Sequence, residues 1–189
     1  MRHLTIGGPL AAMWLAACVA GGGLGGSSVQ PVLQGAMRMA APAGYCLDPA
    51  SLRDADDRVV ALMGRCSAQS AASPAVLSLS IGPAASAGVM AAGGAELAGF
   101  FTSAEGRARL APSGRAGDIR VIEALSSGDA FLMRVEERGG PSYWRAVLGL
   151  RGRLVTLSAQ GIPGAALAPA EGRALIDRAL AAMRRANSP

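Results

Sequence analysis

Lysine does not occur in this chain of 189 residues: all 18 basic side chains are arginine. Without lysine there is no Schiff-base amine, no Ser–Lys pair and no phosphate-loop lysine. Histidine is almost as scarce. The single one, His3, lies at the extreme N terminus, so a chain that loses its first residues keeps none. That removes Ser-His-Asp and Cys-His catalysis, His-ligated zinc and the usual general base near neutral pH. Aromatic residues make up 4% of the chain and are not interleaved with a basic block, which argues against nucleic-acid binding. Long apolar runs are missing too. Gly7-Gly8-Pro9 and Gly21-Gly22-Gly23 interrupt the uncharged stretch between Arg2 and Arg38, whereas a membrane span needs about 20 mostly apolar residues.

What is present is an aliphatic, mildly basic chain, 51% hydrophobic with a formal charge of +5. Its charges are dispersed, as on a solvated surface. Arginine used alone beside abundant alanine and glycine reflects a GC-rich coding sequence more than a binding code.

At the N terminus Arg2 precedes an apolar segment, Leu10 to Ala20, with Met13, Trp14 and Leu15 at its centre and the small Ala16 and Ala17 behind them. A cationic start, a short apolar helix and a small-residue cleavage site make a secretory leader. The tetrapeptide Leu15-Ala16-Ala17-Cys18 resembles the bacterial lipoprotein signal. That resemblance implies that residues 1–17 are removed, that Cys18 carries lipid, and that the protein stands on the periplasmic face of a bacterial membrane. Val19, where some families carry an aspartate, fits the outer membrane. Each buried methylene of an acyl chain contributes about 0.8 kcal/mol, and the three chains usual for this class imply a stable anchor. Cleavage after Ala20, with Cys18 and Ala20 as the small residues, and retention as an uncleaved anchor are the alternatives.

With Cys18 lipidated, Cys46 and Cys66 are left, the number that closes one bridge in an oxidising compartment. A loop of this length contributes about 3 kcal/mol in the chain-entropy model. Two free thiols are the alternative; a redox pair is excluded by the wide spacing and the lack of a neighbouring histidine.

Residues 18–42 are rich in Gly, Ser and Gln and almost uncharged, which reads as a flexible tether. Residues 43–189 then read as one domain. Short strands are expected over Gly44–Pro49, stopped by the proline, and over Arg58–Cys66, with a polar loop between them. Leu77, Leu79 and Ile81 alternate with Ser78 and Ser80 in a half-buried strand. Gly82 to Gly94 reads as loop. Ala95–Leu110 has helical spacing, with a break expected at Thr102 or Ser103. Strands over 118–125, 130–137, 142–150 and 153–160 follow, the last two joined by Arg151-Gly152, a two-residue hairpin signal. A closing helix runs from Pro169 to Asn187, with proline at its first position, Glu171 in the first turn and Arg184-Arg185 in the last. The fold class is α+β: a mainly antiparallel sheet with a C-terminal meander and two helices packed on it. This order resembles the Mog1/PsbP-like sandwich at fold level, and the Gly44-Tyr45-Cys46…Cys66 start is similar to uncharacterised small exported proteins of alphaproteobacteria. Neither resemblance implies an activity.

Candidate sites are few. Asp54, Asp56 and Asp57 form the one carboxylate cluster, but they lack the later glycine and glutamate of a calcium loop and read as a solvated turn. Glu136 and Glu137, beside Arg134 and Arg138, point to opposite faces of a strand and do not share a site. Arg173, Arg178, Arg184 and Arg185 read as a solvated helix face. Tyr143-Trp144-Arg145 is the one concentrated aromatic patch; Trp144 faces away from the other two, and packing of Trp144 in the core is the favoured reading, with an exposed Trp or Tyr beside arginine as a partner contact the alternative. No metal site and no cofactor are expected. The function expected is that of an exported, lipid-anchored, non-catalytic envelope protein. It would contact another envelope protein through the sheet face or the Tyr143–Arg145 region. A small-molecule or lipid carrier is the alternative, requiring a hollow lined by Leu77, Leu79, Phe100, Phe101 and Phe131. A carboxylate-only hydrolase comes third.

Overall fold

Alternating burial dominates the computed structural model, which describes residues 28–188. In strand β5 (Arg58–Arg65) Val59, Ala61 and Met63 are buried while Val60 and Leu62 are exposed. In β6 (Ala75–Ile81) Leu77, Leu79 and Ile81 are buried, with Ser78 and Ser80 on the other side. This period of two commits one face of each strand to a core and fixes the pairing register. The main sheet is antiparallel in the order β3 (Tyr45–Leu47), β5, β6, β10 (Arg153–Gly161), β9 (Ser142–Leu150), β8 (Ala130–Glu137), β7 (Ile119–Ser127). A three-residue strand, β4 (Arg53–Ala55), lies end to end with β3 along the outer edge of β5. The region expected to be loop between β3 and β5 therefore contributes a short, fully exposed edge strand.

Strands β7 to β10 form the C-terminal meander. Two of its turns have two residues, Gly128-Asp129 and Arg151-Gly152, and in the second both residues have positive φ, 47° and 75°. That conformation matches the twist of the flanking strands. At the open edge of the sheet, a register shift between Val121 and Glu123 bends β7, and Arg120 and Glu123 charge it. Bulges and charges of this kind oppose edge-to-edge association.

Helix α3 (Pro169–Asn187) lies across one face of the sheet. Glu171 reaches back to accept from the Ala168 N–H at 3.4 Å, and Pro169 occupies the first helical position. Leu175, Ile176, Ala179, Leu180 and Met183 are wholly buried against Leu77, Leu79, Leu157 and Ala159. Each such aliphatic side chain contributes about 1.5–3 kcal/mol by leaving water.

On the opposite face, α1 (Gly94–Thr102) and α2 (Ala104–Leu110) pack over the β7–β9 side. The helix expected over Ala95–Leu110 is split at Ser103, whose extended backbone ends α1 and whose Oγ accepts from the Gly106 N–H at 3.1 Å to cap α2. Gly106 is required there, since a Cβ would stand 2.0 Å from the Phe100 carbonyl oxygen. A 3-10 segment, Ser86–Ala92, replaces the loop expected before α1.

The tether expected over 18–42 needs correction. Residues Val29–Val32 (β1) and Met37–Ala40 (β2) form an antiparallel hairpin with Val32, Met37 and Met39 buried in the α3-side core. The folded unit therefore includes the hairpin and extends N-terminal to residue 43. The hairpin turn is anchored by Asp54, whose carboxylate accepts from the Leu33 N–H at 3.0 Å.

Candidate functional site

Cys18 lies outside the described residues. Cys46 and Cys66 are joined by a disulfide, with Cα atoms 4.9 Å apart, at the junction of β3 and β5. The bridge ties the sheet edge to the loop that follows β5.

Trp144 is packed in the core, as favoured from the sequence, and the alternative of an exposed aromatic contact is not what the structure shows. Alternation along β9 does put Trp144 on one face and Tyr143 with Arg145 on the other, but helices cover both faces. Tyr143 is 6% and Trp144 5% exposed. Trp144 is stitched to α3: its indole N–H donates to the Pro169 carbonyl at 2.8 Å, and the Arg173 guanidinium lies 5.3 Å from its ring centre. Neither ring is available to a partner as a protruding anchor. Arg145 is half-buried and donates from Nε to Ser158 Oγ at 3.0 Å.

The hollow imagined for a carrier is also absent in the form expected. Leu77 and Leu79 belong to the α3-side core, whereas Phe131 and Phe101 stack on the opposite face at 5.9 Å between ring centres. The sheet itself separates the two groups.

Two surfaces remain that have the shape of a site. One is the uncovered half of the α1-side face. Helices α1 and α2 and the 3-10 segment pack over β7 to β9 and the start of β10. The outward side chains of β5 stay open, with Val60 46% and Leu62 40% exposed. Across the ladder, Val60 stands opposite Ser80, and Ser80 opposite Thr156; Leu62 stands opposite Ser78, and Ser78 opposite Ser158. The result is a flat strip in which the half-buried Ser78, Ser80 and Thr156 lie beside two exposed aliphatics, with the buried Ser158 and the half-buried Arg145 at its inner margin.

The second is a cleft of about 640 Å³ at the far end of β8, β9 and β10. Gly140 and Pro141 of the β8–β9 turn form one wall, and residues Ile162–Ala166 the other. That second wall is shaped by an isolated bridge between Ile162 and Ala165. Its polar groups are Glu137, Tyr143 and Gln160. The Tyr143 hydroxyl donates to Glu137 Oε1 at 2.9 Å, and Arg145 Nη2 lies 3.5 Å from the same phenol oxygen. Burial pushes the Tyr143 phenol up to about 12; the Arg145 charge opposes this, and the Glu137 carboxylate adds to it. Sequence reasoning missed this cleft because its second wall carries no periodic pattern. Its Glu137, however, does point away from Glu136, which pairs instead with Arg120 at 2.8 Å.

Of the carboxylate cluster, Asp54 is engaged with the hairpin turn, Asp57 pairs with Arg58 at 3.5 Å, and Asp56 sits in the turn with φ 48°. Among the described residues no three metal-ligating side chains converge, and no helix is long and apolar enough to cross a membrane. On α3, Arg173 is tied to Asp177 at 3.0 Å and Arg184 to Asp129. Compared with protein-family models, with curated proteins and with solved structures, the chain matches none, so its functional reading rests on the geometry above.

Proposed function

We propose that this is an exported, non-catalytic envelope protein, attached through lipid on Cys18 to the periplasmic face of a bacterial membrane, the outer one by preference. It acts by holding another envelope protein against the uncovered half of its sheet. The open strip bordered by Val60 and Leu62 carries this reading. Two large aliphatic side chains exposed side by side on one strand add nothing to the core, and a flat, partly apolar strip suits a macromolecular surface better than a small ligand. The chemistry available agrees: beyond His3 the sequence has neither histidine nor lysine with which to build a common nucleophilic or general-base centre.

Attachment at Cys18 also restricts where the strip works. Only residues 19–27 separate that sulfur-bearing residue from Ser28, where the described chain begins. Covalent geometry limits such a segment to about 35 Å even when fully extended. The domain would stay within roughly its own diameter of the bilayer, and its partner would be a membrane-bound or membrane-adjacent protein.

Two measurements test the proposal. Intact mass of the membrane-extracted protein is expected to begin at Cys18 with acyl chains attached; a mass beginning at Met1, or at Val19 or later, rejects the anchor. A photo-crosslinking residue placed at Val60 or Leu62 in living cells is expected to give one discrete adduct, while the same residue at the exposed Arg178 on α3 gives none. Equal labelling at the two faces, or none at Val60 and Leu62, rejects the docking surface.

A further inference from the structure

The cleft at the end of β8 to β10 has no part in that reading, yet it is built for a ligand of definite chemistry. Its size suits a small organic molecule, and its walls are apolar: Pro141, Ile162, Pro163 and Ala165. What distinguishes it is the carboxylate of Glu137. The other acidic side chains of the β7–β8 hairpin each have an arginine: Glu123 with Arg134 at 3.7 Å, Glu136 with Arg120 at 2.8 Å, and Asp129 with Arg184. Asp118, just before the hairpin, has two, Arg115 at 2.8 Å and Arg138 at 3.4 Å. Glu137 has no cation within 4.0 Å among the described residues. Its sequence neighbour Arg138 is drawn off to Asp118 and to the Gly117 carbonyl, 3.0 Å away.

The one side-chain hydrogen bond Glu137 makes is from the Tyr143 hydroxyl, and that bond consumes the only proton the phenol has. The Tyr143 oxygen already faces donors on Gln160 and Arg145, so the acceptor left for a ligand is the Glu137 carboxylate. A carboxylate that takes one hydrogen bond keeps free lone pairs, and a charged N–H donor is the partner that uses them best. We propose that this cleft binds a small organic amine, its ammonium group held by the Glu137 carboxylate and its apolar body lying between Pro141 and the Ile162–Ala166 wall. The Tyr143 hydroxyl fixes the carboxylate in place before the ligand arrives, so little ordering is left for binding to impose. An anion meets the repulsion of the same carboxylate, and a neutral alcohol of equal shape offers only a weaker, uncharged donor.

The cleft lies apart from the Val60–Leu62 strip, so failure of either proposal leaves the other standing. The test is a titration of the full chain with benzylamine at pH 7, followed through the backbone amides of Gly140, Gly161 and Gly164. Benzyl alcohol and phenylacetate serve as the neutral and anionic counterparts. Saturable shifts with benzylamine, and at least about tenfold weaker binding of the other two, are expected. Glu137→Gln keeps an acceptor for Tyr143 and is expected to lose at least about tenfold in benzylamine affinity. Ala165→Trp fills the cleft, leaves the carboxylate in place, and is expected to abolish the shifts. Absence of a saturable shift, equal binding of benzyl alcohol, or undiminished binding by Glu137→Gln or by Ala165→Trp would overturn the assignment.

Discussion

Asn187, the last residue of α3, pairs through its side-chain amide with both backbone groups of Arg38 in β2: it accepts from the Arg38 N–H at 2.9 Å and donates to the Arg38 carbonyl at 2.7 Å. The side chain mimics a neighbouring strand and fastens the β1–β2 hairpin to the end of α3. The Asn187 carbonyl, one of the helix-end acceptors left without an intrahelical donor, takes the Arg151 Nε–H at 3.1 Å. One residue thus joins the N-terminal hairpin, the terminal helix and the β9–β10 turn. Replacing Asn187 by Ala strands the two part-buried Arg38 groups at a cost of about 1–2 kcal/mol. The expected outcome is a fall in melting temperature of roughly 3–6 °C. Ser188→Ala, which alters only an exposed hydroxyl bonded to the Arg184 carbonyl, should change it little.

The disulfide closes a loop between residues 20 apart in sequence. Restricting the unfolded chain over that span is worth about 3 kcal/mol. Cys46→Ser with Cys66→Ser is expected to lower the unfolding free energy by about that amount in denaturant titrations, and to raise the slope with denaturant because the released unfolded chain exposes more surface. The loss should appear equally when the native protein is measured in strong reductant.

Tyr143 gives the protein a sensitivity to alkali with a definite sign. Its phenol is held neutral by burial, reinforced by the Glu137 carboxylate, so its folded pKa is raised from 10.0 to about 12. A raised acid binds its proton more tightly when folded. Its contribution is therefore fully present below pH 10 and is lost as pH rises from about 10 to 12. Stability followed by denaturant midpoint should fall more steeply between those values in the native protein than in Tyr143→Phe. Parallel profiles for the two proteins would show that the phenol does not ionise on unfolding.

How legible all this was follows from which elements carry a repeating pattern. Helix α3 has an apolar stripe from Leu175 to Met183, and the sequence marks both of its ends; Leu77, Leu79 and Ile81 declare their strand by strict alternation. The β1–β2 hairpin was obscured because its flanks are Gly- and Ser-rich and its turn, Leu33-Gln34-Gly35, has positive φ at two residues that rarely adopt it. Yet Met37-Arg38-Met39 does alternate, and that short signal was available. Strand β4 has no buried residue at all, so no hydrophobic pattern exists to find. For Tyr143 and Trp144 the sequence shows that the two rings take opposite faces but leaves one face open to solvent, because alternation tells which side chains share a face but not which faces acquire a second layer. That second layer comes from α1, α2 and α3, elements distant in sequence.

The division of β5 into a core face and an open face can be tested by stability alone. Leu79 stands opposite Ala61 and Leu157 in the ladder and is fully enclosed; truncating it to alanine removes buried carbon and leaves a cavity, at a cost of about 2–5 kcal/mol. Leu62, one residue along β5 from Ala61, points the other way. Leu62→Ser and Val60→Ser remove side chains that water already partly reaches, and are expected to lower the unfolding free energy by only about 1 kcal/mol each. A loss of 2 kcal/mol or more in either serine variant, by the scale of an enclosed aliphatic, would mean that these side chains are packed rather than offered to a partner. If both cost little stability while Leu62→Ser abolishes the in-cell crosslink formed from position 60, and Val60→Ser that formed from position 62, their apolar character serves contact with another molecule and not the fold.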